Sequence, residues 1–429
     1  MLTSFIILAI ILSIAIGYIT KLNIGIFAMI FAYIIGAFFM DLKPKEIIAF
    51  WPISIFFVIF AVSLFYNFAS VNGTLEKLAA FLIKKFENYP YFLPYAIFLV
   101  SALIAAMGAG FYSVLAFMAP ITFLLCEKTG LDRVGGAMAI NYGALGGANF
   151  PTSQSGIIFR GLMQNAGISQ EVAFNDAFVI FLFTFILPIF VITFFVLKAK
   201  KNNVKINLLD EVITFDKKQK TTLILMVLMM CLVLVFPLLH IAFPNAKTIS
   251  FINSKIDIGL IAIIFVAISL LLKLGDEKKV VALIPWGTLI MICGVGILVS
   301  IATKAGVINQ LSGFVETNVP KIIIPIMMMI IATIMSLFSS TLGVVTPALF
   351  PLVPTLSLAS GFSEVVLFTC IVIGAQASAI SPFSSGGSLV LGAISNEHKD
   401  SLFKGLIVKA IPIGFVAAII AGIVVMNIF

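Results

Sequence analysis

Apolar runs of about twenty residues, the length a helix needs to cross a bilayer, begin near residues 2, 23, 51 and 174 and again near 221, 256, 284 and 403. Between the third and fourth run of each set lie two further apolar blocks, near 91–127 and 131–163 and near 320–360 and 363–394. One long polar stretch, "KAKKNNVKINLLDEVITFDKKQK" (Lys198 to Lys220), divides the chain into two halves. The pattern predicts an all-α polytopic membrane protein. Its segments are 1–90, 91–198, a linker at 199–220, 221–317 and 318–429. Leu75, Leu78, Leu82 and Phe86, like Ile308, Leu311 and Val315, recur at helical spacing among polar residues, which predicts two short amphipathic helices at the membrane interface.

Composition agrees, with 62% hydrophobic and 10% charged residues. The net charge of +8 does not indicate nucleic acid, because the basic residues fall in the short connections between spans, where membrane topology places them. If the blocks around 108 and 340 turn back as re-entrant hairpins, each half crosses the membrane five times, and an odd number inverts the second half. With the linker cytoplasmic, Lys21, Lys77, Lys84, Lys85, Lys128, Arg133, the linker lysines, Lys273, Lys278, Lys279, Lys399 and Lys404 fall inside. Lys43, Lys45, Arg160, Lys247, Lys255, Lys304 and Lys321 fall outside, and both termini are expected to be external. The first span reads as uncleaved. Cys126, Cys231, Cys293 and Cys370 lie in apolar runs without metal or disulfide spacing and are expected to pack in the core.

The two halves carry an internal repeat. An offset of 231 residues pairs Pro120 with Pro351, Gly130 with Gly361, Gly143 with Gly374, Pro151 with Pro382, Ser153 with Ser384 and Gly156 with Gly387. The run "GALGGANFPTSQSG" (Gly143 to Gly156) therefore has a twin, "GAQASAISPFSSGG" (Gly374 to Gly387). In hydrocarbon an unwound backbone leaves polar groups unmet at several kcal/mol each, so such breaks survive only beside protein or a polar cavity. A helix is expected to restart at Pro151 and at Pro382, since proline at the first helical position gives up only an unpartnered N–H. The amides of Thr152, Ser153 and Gln154, and of Phe383, Ser384 and Ser385, would then face the break at the positive helix end. Two such starts brought together near the midplane make a site for an anion. Asn149, Ser381, Ser340 and Thr341 join these as candidate substrate-binding residues, with Asn141 and Gln376 as further pore-lining candidates.

Two Gly- or hydroxyl-rich tips, "AAMGAGFYS" (Ala105 to Ser113) and "SLFSSTLGVVTP" (Ser336 to Pro347), free carbonyls and hydroxyls of the hard, neutral kind that sodium accepts. Gly108, Gly110, Ser113, Gly147, Ser339, Thr341 and Ser378 are the candidate sodium ligands. No other cofactor is expected. Gly and Ser also serve close helix packing, but paired breaks at equivalent positions favour a functional reading. All Asp and Glu residues fall in connections or in the end turns of spans, with Asp176, Asp257 and Glu364 nearest the interior. That distribution argues against an antiporter built on buried carboxylates and favours a solute that is itself negative. Arg160 is expected to snorkel at the end of its span. An intramembrane serine enzyme is disfavoured, since His240 and His398 lie near a span end and in a polar connection, far in sequence from "SQSG".

The chain resembles the ion transporter superfamily, specifically the divalent anion:sodium symporters and the related dicarboxylate carriers of the malonate-carrier type. Ser339-Ser340-Thr341 partly matches the symporters' Ser-Asn-Thr tip motif, while Gly108-Ala109-Gly110 departs from it. Gly146-Gly147 through Pro151, and Ser378 through Pro382, match the Gly-rich loops ending in Pro, and "PTSQSGIIFRGLMQNAG" is similar to the malonate-carrier pattern. The resemblance implies two inverted-topology repeats, each with five spans, one of them broken, plus a re-entrant hairpin. It further implies an elevator mechanism, with 1–90 and 221–317 as a dimerising scaffold and 91–198 and 318–429 as the transport parts. The resulting expectation is a homodimeric secondary transporter of the bacterial inner membrane, carrying a di- or tricarboxylate on a sodium or proton gradient. A cation/proton antiporter of the same superfamily is the alternative.

Overall fold

The computed structural model describes residues 2–20, 22–86, 92–198, 214–243, 246–255 and 257–429. Most of the expected linker, residues 199–213, lies outside them. The described residues form helices and no strand. In the first half these are α1 (Leu2–Thr20), α2 (Ile24–Ile34, prolonged by a π-turn to Phe39), α3 (Ile53–Val71), α4 (Thr74–Lys84), α5 (Leu93–Ala106), α6 (Phe111–Thr129), α7 (Arg133–Ala148), α8 (Gln154–Asn165) and α9 (Gln170–Lys198). The second half contributes α10 (Lys217–Ala242), α11 (Ile258–Leu271), α12 (Trp286–Lys304), α13 (Val307–Asn318), α14 (Ile324–Phe338), α15 (Thr341–Ser360), α16 (Glu364–Ser378), α17 (Ser385–Gly392) and α18 (Asn396–Ile428). Among the described residues, eight helices are long and apolar enough to cross a membrane. The protein is a multi-pass membrane protein.

The helices recur in the same order in the two halves, and so do the unusual backbone positions. The left-handed residues Asp41, Gly73 and Gly130 have their counterparts in Lys273, Gly306 and Gly361. Gly73 and Gly306 each start an amphipathic helix, α4 and α13, as the sequence predicts. The buried stripe of α4 is Leu75, Ala79 and Ile83, however, with Leu78 and Leu82 only half-buried. A 3.6-residue period lets the apolar face turn by one position once small Ala79 permits close approach.

The chain forms two compact units, and each mixes the halves. The first comprises the chain up to Phe56, Ile158–Val191 and Trp286–Phe429. Within it α2 crosses α12 at near backbone contact: a Cβ on Gly25 would meet the Ile290 carbonyl, and one on Gly294 would meet the carbonyl of Gly25. Buried Ile6, Ala28, Ala32, Ile35, Leu298 and Ile301 close that core. A second core joins α14, α16 and α18 through Met329, Cys370, Ile373, Ala377, Ala418 and Val425. Thr3 on α1 donates to the side-chain oxygen of Gln310 on α13 at 2.7 Å.

The second unit comprises Phe57–Ile157 and Ile192–Pro285. Here α11 lies on α3, with the Phe65 and Phe265 rings 5.4 Å apart. Asn67 donates to the Val280 carbonyl at 3.0 Å. Asn72 donates to Thr222 and to the Leu274 carbonyl. Lys77 on α4 donates to Gln219 at the start of α10 at 3.1 Å, and Gln219 in turn donates to the Asn72 carbonyl. In both units, then, the second span of one half packs on the third span of the other, and an interfacial helix is tied to the start of the other half's first span. Lys77 is the one charged member of this set.

Candidate functional site

The first break lies in the second unit. Helices α5 and α6 form a hairpin whose tip is residues 107–110, and α7 runs up against α5 so closely that only glycine fits at the crossing. A Cβ on Gly143 would meet the Phe98 carbonyl, and one on Gly147 would meet that of Ala102. The α7 helix ends at Asn149, and a tight turn leads to Gln154, where α8 begins. Ser153 donates from its hydroxyl to the Ala105 carbonyl at 2.5 Å, while its amide donates to the Phe150 carbonyl at 2.8 Å. Gln154 accepts at Oε1 from the Phe111 amide at 3.2 Å, which ties the hairpin tip to the start of α8. Gly108 sits at φ +102° against the Tyr66 ring, so a side chain there would be strained and blocked at once.

The second break repeats this plan inside the first unit. Helix α16 crosses α14 at Gly374, against the Met329 carbonyl, the residue pair 231 positions on from Gly143 and Phe98. The helix ends at Ser378, whose hydroxyl donates to the Thr333 carbonyl at 2.7 Å. Ser384 caps α17: its oxygen accepts from the Gly387 amide at 3.1 Å and donates to the carbonyls of Ala379 and Ser381 at 2.6 and 2.8 Å. The neighbouring tip holds Ser340 as the cap of a π-turn, accepting from the Gly343 amide at 3.1 Å. Thr341 is 3.0 Å from the Ser336 hydroxyl, and Ser339 donates to the Met335 carbonyl.

These geometries correct the expectation for the helix starts. Pro151 and Pro382 do not open the helices; each sits in the turn, and α8 and α17 begin at Gln154 and Ser385. The amides of Ser153, Phe383 and Ser384 are not directed into the break but are held by Phe150, by the Ser381 hydroxyl and by the Ser381 carbonyl. The physical reason is capping. At the second break a serine three residues before a helical amide satisfies that donor, so Ser384 takes the cap position and Pro382 is left to fix the turn; at the first, the Ser153 hydroxyl is held by the Ala105 carbonyl.

Of the substrate-binding candidates, Asn149, Thr152, Ser153 and Gln154 are buried together at the first break, and Ser340, Thr341, Ser381 and Ser384 are buried at the second tip and break. Ser385 is exposed at the second break. Among the sodium candidates Gly108, Gly147, Ser339, Thr341 and Ser378 are buried and Gly110 is half-buried at its tip, while Ser113 is exposed on α6 and does not join the tip. Among the described residues no group of three or more His, Cys, Asp or Glu is placed to hold a metal ion. Arg160 does not simply reach outward: its guanidinium lies over the Phe174 ring, 5.1 Å from the centroid. Gln376 donates to the Thr184 carbonyl of α9 at 3.0 Å instead of opening to a pore.

The structure also brings forward one residue the sequence left unremarked, Ser155, and recasts two that it had marked, Asn141 and Asp176. Ser155, in the first turn of α8, is buried with no partner for its hydroxyl, and the buried Asn141 has none for either amide atom. Ser155 stood inside the quoted run, but nothing in the run distinguished its hydroxyl from that of Ser153. Asp176, expected in an end turn, is the seventh residue of α9 and only 7% exposed, because the helix starts at Gln170 and not near 174.

An all-helical, multi-pass fold defines the class of this protein among the described residues, and solved membrane-protein structures superpose on it. The chain superposes on the YdaH transporter of Alcanivorax borkumensis, described as having an unusual topology, with a TM-score of 0.59 at 16% identity over 88% of this chain and 86% of that one. It superposes likewise on MtrF of Neisseria gonorrhoeae, from a class of antimetabolite efflux pumps, with a TM-score of 0.55 at 14% identity over 90% and 83%. At these identities the likeness is one of fold. Residues 1–148 match the family described as "Dicarboxylate carrier protein MatC N-terminus". No protein of curated function matches the sequence.

Proposed function

We propose that the protein is a secondary active transporter of a small organic anion, a di- or tricarboxylate, coupled to a sodium or proton gradient. The observation that carries this reading is the pair of buried, unwound turns at equivalent places in the chain, each followed by a capped or tied helix start. Such ends carry about half a positive charge, and no acidic side chain stands within either turn or in the first turn of α8 or α17. The match of residues 1–148 to a dicarboxylate carrier family supports the choice of solute. Each break is proposed by itself as a place where the anion is contacted, through Asn149, Thr152 and Gln154 at the first and Thr341, Ser381 and Ser385 at the second. Ser153, Ser340 and Ser384 hold the turns in shape. Carbonyls and hydroxyls at the two tips, Gly108, Gly110, Ser339 and Thr341 among them, are proposed for sodium.

The inverted arrangement of the halves, an elevator movement of 91–198 and 318–429, a homodimer, residence in a bacterial inner membrane and external termini belong to the same proposal. The recurrence of the main helices in the same order supports two related halves. Counterflow in proteoliposomes across malonate, succinate, citrate, sulfate and amino acids, with and without sodium, tests the proposal. Exchange of a dicarboxylate is expected. Movement of none of the organic anions would refute the reading.

A further inference from the structure

Three buried polar atoms without a hydrogen-bond partner fall along one seam of the first unit: Oδ2 of Asp176, Oγ1 of Thr369 and Oε1 of Gln376. Asp176, Ile180, Phe183 and Leu187 share one face of α9, being four, seven and eleven residues on from the first. Phe183 and Leu187 pack against the core formed by α14, α16 and α18. That face of α9 therefore turns into this core, which α16 lines. On α16, Thr369 lies two turns before Gln376, on the same side, and Gln376 bonds to α9 directly. Along α16 the order is half-exposed Glu364, then Thr369 and Gln376, and finally the break at Ser378–Ser384, and Glu364 is the charge that bears on Asp176.

A carboxylate removed from water without a partner is among the most expensive groups to bury, and it escapes that cost by holding a proton. The charged group that bears on Asp176 is Glu364, of like sign. Of the other groups near, Glu171 opens α9, and Arg160 of α8 is seated on the Phe174 ring. Helix α14 has no titratable residue. Helix α18 enters this core through Ala418, Ala421 and Val425, while its Glu397, Lys399, Asp400, Lys404 and Lys409 lie in its first half. The fold does not need these polar groups. At the 231-residue offset the first half has Arg133, Met138 and Leu145 where the second has Glu364, Thr369 and Gln376, and α7 forms the same broken helix with them.

We propose that Asp176 is a proton-binding site, reached at Glu364 and continued along Thr369 and Gln376 toward the second break, and that the proton bound there is carried with the anion. The proton joins the carboxylate as a carboxylic acid and leaves unchanged on the other side, so no further reactant is involved. Thr369 can donate and Gln376 Oε1 can accept along the way. The proposal rests on the transport reading for its second clause, and its test separates the two.

Infrared spectra of the reconstituted full chain, titrated with pH, report the carbonyl band of a protonated side-chain acid without any transport. Wild type is expected to show a band that titrates and that Asp176→Asn removes. Glu364→Gln is expected to move its midpoint to lower pH, because a like charge has gone. In proteoliposomes without a membrane potential, the steady-state inside-to-outside ratio of malonate or succinate should rise by up to about tenfold per pH unit of inward proton gradient for one coupled proton. Asp176→Asn, whose amide imitates the protonated acid, should keep counterflow and lose that dependence. A pH-induced carbonyl band equal in size in Asp176→Asn and wild type, so that their difference spectrum is empty, or proton-driven uptake unchanged in the variant, would overturn the proposal. If wild type moved no dicarboxylate, the transport reading would fall while the spectra still decided Asp176.

Discussion

Gly387→Ala should separate a break that is built from one that is merely loose. An ideal Cβ at Gly387 would lie 2.0 Å from the Ser381 carbonyl oxygen and 2.3 Å from that of Ile380. Both obstacles are backbone, so no side-chain rotation relieves them, and ordinary contact lies about 1.5 Å further out. Forcing that opening disturbs the turn Ser384 closes, a perturbation of about 1–3 kcal/mol for overpacking. Helix propensity works the other way by about 1 kcal/mol. The control is Gly392→Ala at the end of the same helix, where nothing stands within 4 Å. Thermal unfolding in detergent should place Gly387→Ala below wild type and Gly392→Ala at or above it, and counterflow should fall only in the former. Gly156→Ala, whose Cβ would meet the Phe150 carbonyl, should behave like Gly387→Ala. If Gly387→Ala and Gly392→Ala unfolded at the same temperature with equal transport, the folded-back turn would not be part of the working protein.

Ser384→Ala should lower stability by about 1 kcal/mol through loss of the cap, and Ser384→Asn should restore most of it, as unfolding curves would show. Gln154→Leu removes the acceptor of the Phe111 amide; leaving that donor unmet costs about 1–3 kcal/mol, and faster proteolysis at the hairpin tip should report it. Burial pushes the Glu76 carboxyl up from its ordinary 4.5. The folded protein therefore keeps a proton that the unfolded chain has released. Stability attributable to this group falls as pH rises through that window, and Glu76→Gln should flatten the fall in a pH series of unfolding temperatures. Thr341→Ala, which breaks the contact with Ser336, should lower uptake with a smaller effect on folding than Ser384→Ala, measured on the same preparations.

Periodicity and composition by themselves determined that this chain is helical and membrane-spanning, where its spans lie, and that its halves repeat. Apolar length and an offset in Gly and Pro are local properties, readable without knowing any contact. The location of both breaks was legible for the same reason, since Gly143–Gly156 and Gly374–Gly387 announce weak helix in each half. Only tertiary structure decided what the residues of those breaks do. Whether Ser153 and Ser384 face a solute or a carbonyl depends on the exact course of the turn: Ser153 ended on the Ala105 carbonyl, and Ser384 took the helix cap ahead of Pro382. The interleaving of the halves, with α2 on α12 and α11 on α3, likewise leaves no local trace, because any apolar helix satisfies the same hydropathy whichever neighbour it meets. Asp176 shows the limit most plainly: one residue near a span end, it became a buried acid only when α9 began four residues early and turned that face into the core of α14, α16 and α18.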